Sequence, residues 1–389
     1  MKKWIWLIAF FAAVSFGEDW YTWRGPDANG ISKETGIDGS VAATVWTKEL
    51  GVGYSAVSVK EGRLYTMGHT EKQDTVFCLD ALSGEEIWSH TYACKTGNFK
   101  GPRATPVVNG EAVYIVSREG QVFCFDVKSG AVNWSTDVLD ETGLKNITWG
   151  ISSSVVAEGD LLLIGIGAAG IALNSDDGKI IWESGGAHSY ATPVVFDLKG
   201  ERVAAIFSQP GLKIVDVYNG KVLAELEWET KHDINGADPV LIGDKLFITS
   251  GYGRGCAMLD ASGDALKILW ENTLMNSHFS SSLLLDGFLY GVDAQAGKKG
   301  SLRCLSAKDG SEQWSAPLGH GSLIAADGQL IVLTDDGTLY FVKASPKAYK
   351  ELVTFDTGIG KLCWTAPVLA NGMLYCRNEK GSLIAVRVK

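Results

Sequence analysis

The sequence predicts an all-β chain, an eight-bladed β-propeller of four-stranded antiparallel blades closed by a strand from near its beginning. Three observations predict it. First, the second strand of successive units centres near Tyr65, Tyr114, Leu163, Ala205, Phe247, Tyr290, Ile331 and Tyr375, spaced 41 to 49 residues apart, and a fixed period of that size marks arrays and propellers. Second, a hairpin pattern recurs: Leu79-Asp80 through Ser83-Gly84 to Trp88 returns as Phe125-Asp126 to Trp134, Leu173-Asn174 to Trp182 and Leu305-Ser306 to Trp314, with a stretched copy from Leu259-Asp260 to Trp270. Third, the chain ends complement each other. The last unit, Cys363 to Lys389, has room for three strands and lacks a Trp strand, whereas Thr44 to Leu50 contains Trp46 with no three strands before it.

In chain order, Met1, Lys2 and Lys3 precede an apolar run from Trp4 to Phe16 and small residues at Ser15 and Gly17. That is the pattern of a secretory leader over residues 1–17, too short for a transmembrane span. No cysteine occurs before Cys78, so a lipid-anchored start is not expected. Residues 18–43 form an arm, and residues 44–389 form the propeller. Within each repeat an apolar strand ends at Asp or a similar residue that bonds back to the turn, a Gly takes the left-handed position, and the next strand carries the Trp. The Trp positions read Trp46, Trp88, Trp134, Trp182, Ala224, Trp270, Trp314 and Phe355. Burying each indole contributes about 2 to 3 kcal/mol, so these residues are structural. Blades four and seven depart from the pattern, with Ala224 in place of Trp and Lys343 to Tyr349 in place of the Asp-to-Gly turn.

Charge and motifs exclude several function classes. The formal net charge is −10, and without Lys2 and Lys3 the chain carries 33 basic against 45 acidic residues, a balance of −12. Such a surface repels phosphate backbones, so no nucleic-acid partner is expected. The seven cysteines form no CxxC and no adjacent pair; Cys78, Cys124 and Cys304 share one repeat position, which suits small buried hydrophobes. Gly165-Ile166-Gly167-Ala168-Ala169-Gly170 fits a dinucleotide fingerprint, but its register makes it a blade turn with no helix to hold a pyrophosphate. There is no GxSxG, HExxH or P-loop pattern.

The remaining constellation is positional. Residues just before each innermost strand line one mouth of a propeller channel, where ligands are held. This ring contains Arg103, Trp149, Tyr190, Asp238 and Trp364 as candidate binding residues. Four of the six histidines, among them His188, His278 and His320, fall in these entry loops with Asp233 nearby, a set that could ligate a metal. Trp149, Tyr190 and Trp364 could stack on a flat ligand. A metal site, a ligand or peptide site, and a mouth that is simply polar and aromatic all remain open at this point.

The five Trp hairpins resemble the pyrrolo-quinoline quinone (PQQ) type propeller repeat over Thr44 to Lys389, and Trp20-Tyr21-Thr22-Trp23-Arg24-Gly25-Pro26 followed by Gly30-Ile31-Ser32 resembles the arm of exported bacterial members. The resemblance implies two branches. Quinoprotein alcohol dehydrogenases hold PQQ and calcium on the channel axis with an adjacent-cysteine disulfide, a Trp floor and an Asp base, for which Trp149 and Asp238 would be the stand-ins. Propellers of this size without the cofactor, similar to the outer-membrane protein assembly factor, act as scaffolds. The expectation is therefore an exported, periplasmic or secreted monomer that binds a protein or small ligand at the mouth without a cofactor. A PQQ-dependent alcohol or sugar dehydrogenase with Asp238 as its base is the alternative.

Overall fold

The computed structural model describes residues 17–295 and 298–389, and among them 32 strands form eight four-stranded sheets. The leader expected over residues 1–17 lies, apart from Gly17, outside the described residues. In the first blade, Ser58–Lys60, Arg63–Thr70, Gln73–Asp80 and Glu86–Ala93 pair in sequence order. In the eighth, Ala43–Glu49 pairs antiparallel with Ser382–Arg387, outside Met373–Arg377 and Val368–Ala370. The strand around Trp46 thus closes the ring, as its lack of local partners predicts. The helical segments are the short Val138–Thr142 and the single turn Gly39–Val41.

Turn chemistry explains how each blade forms. The two inner strands are joined by two residues, as at Glu61-Gly62 (φ 51° and 75°) between Lys60 and Arg63. Two left-handed residues in succession match the right-handed twist of the flanking strands. In the outer hairpin, Asp80 Oδ1 accepts the Leu82 and Ser83 amides at 3.0 and 2.8 Å, and Gly84 adopts φ 73°. Asp126, Asn174, Asp216 and Asp260 repeat the bond to their own turns.

The outer strand carries a register shift just before the Trp position in every blade: Cys78 pairs with Trp88 while Leu79 pairs with Glu86, leaving Ile87 unpaired. The bulge interrupts an edge that would otherwise template further pairing. This register also corrects one assignment. In the seventh blade Val353, opposite Phe341, occupies the Trp position; Phe355 lies two residues on, opposite Leu339.

Blades dock through these indoles. Trp88 Nε1 donates to Val127 O of the next blade at 3.2 Å, and its ring lies against Gly130, where an added Cβ would stand 2.5 Å from it. Trp46, Trp134, Trp182 and Trp270 meet Gly84, Gly178, Gly220 and Gly310 in the same way. Where Val353 replaces Trp, the turn before the closing strand fills in, with Gly39 against Phe341 and Val353. Cys78, Cys124 and Cys304 sit opposite Trp88, Trp134 and Trp314, and all seven cysteines are buried and unpaired. Ring closure has a polar lock as well: the buried Arg377 guanidinium of blade eight donates to Ser55 O, Thr66 Oγ1 and Met67 O of blade one.

The first strand of most blades is shorter than its apolar run suggests. Ala104 to Val108 reads as strand, yet pairing covers only Val107–Asn109. Pro106 has no amide to donate, and the Thr105 amide is spent on Ser154 Oγ of the next blade.

Candidate functional site

A belt of side-chain oxygens runs along the channel through blades two to six, two residues before each of their inner strands. Thr105 Oγ1 accepts from Ala56 N, Ser154 Oγ from Thr105 N, Thr192 Oγ1 from Ser154 N, Asp238 Oδ1 from Thr192 N, and Ser281 Oγ from Asp238 N, at 2.8 to 3.2 Å. Each bond ties one blade to the next, and Asp238 is the belt member of blade five.

The arm seals the channel below this belt. Trp20 pairs with Val59, Tyr21 O accepts from Val108 N, and Gly30 and Ser32 bracket Ala325, so residues 20–32 cross from blades one and two to blade seven. Arg24 and Gly25, at φ 63° and 83°, reverse the chain there, and Gly30 N closes the loop on Arg24 O. Trp23 Nε1 donates to Asp238 Oδ2 at 2.7 Å, while buried Arg24 donates to Ser282 O at 2.7 Å and lies 3.9 Å from Asp238. Desolvation holds the Arg24 guanidinium below its usual range, with Asp238 opposing the shift.

Above the floor lies a pocket of about 370 Å³. Its wall includes Arg103, Trp149, Tyr190, Asp238 and Trp364, five residues that the sequence places at the mouth. It also includes Phe99, Tyr252 and Trp23, which reading only the residues before each inner strand misses. Phe99 comes from the same entry loop as Arg103 but further from the inner strand, Tyr252 from a turn between second and third strands that opens on the same face, and Trp23 from the arm. The aromatic residues touch in sequence: Tyr54 stacks on Trp364 at 5.7 Å, and Phe99 meets Trp149 edge-on at 5.4 Å and Trp364 at 6.1 Å. Phe99 and Tyr252 adopt φ 48° and 60°, a left-handed conformation that costs about 1 to 3 kcal/mol for such residues and clusters at functional sites. Trp364 is aimed by Asp335, which accepts its Nε1 at 2.7 Å.

Arg103 supplies the charge. Its guanidinium donates to Gly101 O, Asn98 O and Phe99 O at 2.6 to 3.1 Å, and it lies over the Tyr54 ring. Burial, reinforced by Arg118, lowers it to about 10, so it stays protonated at neutral pH. No carboxylate pairs with it among the described residues.

The four candidate metal ligands do not converge. His188 accepts from Gly167 N at 2.6 Å and meets Lys145 O at 2.7 Å, which engages both ring nitrogens and makes the Gly165 to Gly170 segment a blade turn. His278 meets the Tyr252 hydroxyl at 2.9 Å and stacks on Phe279. His320 is buried edge-on to Trp364, and Asp233 is exposed on the rim. Burial, with His320 and His232 nearby, takes His278 to about 3, and burial takes His320 to about 4. No group of three His, Cys, Asp or Glu side chains able to hold a metal occurs among the described residues.

The residues of a calcium and quinone site fit poorly. Calcium takes about six to eight oxygen ligands, yet Asp238 has both oxygens engaged, by Thr192 N on one side and by Trp23 Nε1 and Ser281 Oγ on the other. A base needs a free lone pair toward its substrate, and Asp238 is instead a belt residue that anchors the arm. Trp149, the stand-in for a quinone floor, stands in the wall, and the indole at the floor is Trp23.

Repeat, belt, docked indoles and sealed channel define a PQQ-like eight-bladed propeller with one open mouth. The chain belongs to the family described as outer membrane protein assembly factor BamB, whose model matches residues 37–185, 72–316 and 298–389. It is 25% identical over 338 residues to BamB of Yersinia pestis, covering 81% of this chain and 80% of that one. To BamB of Escherichia coli it is 24% identical over 366 residues, covering 77% and 88%. Among solved structures, BamB from Moraxella catarrhalis superposes with a TM-score of 0.68 at 14% identity, over 90% of this chain and 98% of that one. Quinohemoprotein alcohol dehydrogenase from Comamonas testosteroni gives 0.74 at 14% identity, over 95% and 80%. At such identities the structural likeness shows the fold alone.

Proposed function

We propose that the protein is an exported, non-catalytic binding module that holds unfolded polypeptide at its channel mouth during outer-membrane protein assembly. The observation that carries this reading is the one-ended aromatic pocket, in which the one wall carboxylate among the described residues, Asp238, bonds the belt and the arm. Family membership supplies the assembly context, and the leader of residues 1–17 supplies the route of export. No helix among the described residues is long and apolar enough to cross a membrane, and the proposed location is the periplasm. The metal-free, cofactor-free reading follows from the chemistry of the donors, since none of the mouth residues offers a converging set of free oxygens.

The test is binding of a urea-unfolded outer-membrane β-barrel, diluted into buffer with the purified protein and followed by co-sedimentation. Trp149→Ala and Trp364→Ala are each expected to weaken binding about 10-fold or more, the range in which buried interface aromatics act. Far-ultraviolet circular dichroism confirms that the variants fold. Unchanged binding by folded variants would overturn the mouth as the site.

A further inference from the structure

We infer that the buried Glu34 carboxylate is a receptor for the α-ammonium group that appears on Glu18 when the leader is cut off after Gly17. The inference rests on the leader read from the sequence and is independent of what binds at the mouth. Ser15 and Gly17 are small residues with one position between them, the pattern at which leaders are cut, and Gly17 is exposed. Hydrolysis there adds one water across the Gly17–Glu18 amide. Gly17 leaves as a carboxylate, and the Glu18 nitrogen, a neutral amide before, becomes an ammonium.

Glu34 lacks a partner that such a group supplies. It lies in the arm and is 1% exposed. Its Oε2 accepts Gly372 N at 2.9 Å, while Oε1 makes no hydrogen bond among the described residues. A buried carboxylate left half-satisfied is costly. Burial pushes its pKa up, and the amides of Glu18, Gly372 and Asn371, with the charge of Lys389, oppose that rise. The Glu18 nitrogen thus already faces the carboxylate. An amide offers one N–H, whereas an ammonium offers three and a full charge, and the charge-assisted bond is the stronger one. Protonating Glu34 instead would still leave one buried oxygen unmatched.

The chain from Glu18 onward is held in place without help from the residues before it. Glu18 Oε2 accepts Ser32 Oγ and Lys33 N at 3.0 and 2.7 Å. Asp19 accepts Glu61 N and Asn371 Nδ2, each at 3.0 Å, and Trp20 exchanges both backbone bonds with Val59. Cleavage therefore leaves the new amine where the amide was. It also opens room for it, since Gly17 passes Asn371 so closely that an added Cβ would stand 2.1 Å from its Oδ1. Asn371 and Gly372 form the inner turn of the eighth blade, so the ion pair fastens the start of the arm to the blade that closes the ring.

The test uses the full chain exported by a bacterial host with its own leader. Amino-terminal sequencing is expected to give Glu18 as the first residue. The α-amine is then acetylated at pH 7 with N-hydroxysuccinimide acetate, followed by mass spectrometry of the terminal peptide, and each rate is divided by that of the same chain unfolded in urea. An opposite charge close by keeps an amine protonated, so folding is expected to slow acetylation of Glu18 about 10-fold or more. A chain made to begin at Gly17, whose amine is displaced by one residue, should show little protection, and Glu34→Gln should remove the protection of Glu18. Should Glu34→Gln fail to fold, the comparison of the two starting residues with Glu34 intact decides. Equal protection in the two chains, or a first residue other than Glu18, overturns the inference. Binding of the unfolded barrel at the mouth is read separately by co-sedimentation, so either reading can fail while the other stands.

Discussion

Asp238 stands where four other blades place Thr105, Ser154, Thr192 and Ser281, and like them it accepts an amide from the blade before it. Its second oxygen binds the arm through Trp23. An acidic residue near a channel mouth invites a catalytic reading, and what separates a base from a belt residue is whether its lone pairs are free. His320 is the opposite case, a polar ring whose two nitrogens are buried without partners among the described residues. Burial holds His320 at about 4 and, with neighbouring histidines, His278 at about 3, both below the usual 6.5. Between those values the unfolded chain binds more protons than the folded one, so stability falls as pH drops below 6.5; the part due to His320 levels off near 4 and the part due to His278 near 3. Each histidine accounts for about 2 kcal/mol by pH 5. Urea denaturation at pH 7.5 and pH 5 should show the loss, and His320→Phe should reduce it by about 2 kcal/mol, leaving the part due to His278; an equal loss in the variant would show that His320 contributes none of it.

At the scale of the element, the hairpin pattern was legible because its physics is local. Asp at the strand end, Gly in the left-handed position and Trp on the next strand lie within ten residues, as from Asp80 to Trp88. The partner of each Trp lies one blade away, and the pattern records it only indirectly: Gly130 serves its own turn and also the ring of Trp88. This double duty predicts unequal costs for alanine at left-handed glycines. Gly200, at φ 81°, has open space around it, whereas Gly130, at φ 71°, would place a Cβ 2.5 Å from the Trp88 ring. Gly200→Ala should cost about 1 kcal/mol through its backbone, and Gly130→Ala about 2 kcal/mol more through overpacking, measured by urea denaturation. Equal losses would mean that the docking contact carries little energy. The misplacement at Phe355 has the same origin. Counting along the strand cannot see the bulge that moves Val353 into register with Phe341.

At the scale of the molecule, the fold and the open face of the channel followed from periodicity, since entry loops of a repeat protein gather on one side. What periodicity could not supply came from outside the repeat. The arm motif around Arg24-Gly25-Pro26 was visible as a pattern, yet only the folded ring shows that it carries Trp23 into the channel. The same holds for Phe99, which stands in the entry loop of the second blade well before the inner strand at Val107, further back than the residues that counting from each inner strand picks out. The molecule therefore has two unlike faces: an aromatic mouth, proposed above to receive polypeptide, and an opposite face crossed by the arm. Exposed Phe99 marks the first and Leu82, 65% exposed in an outer hairpin turn, marks the second. The most direct measurement is site-specific photo-crosslinking, with benzoylphenylalanine placed at Phe99 or at Leu82 and an unfolded outer-membrane barrel as the target. Adducts are expected from position 99 and none above background from position 82; adducts from 82 alone, or equal yields from both, would contradict binding at the mouth.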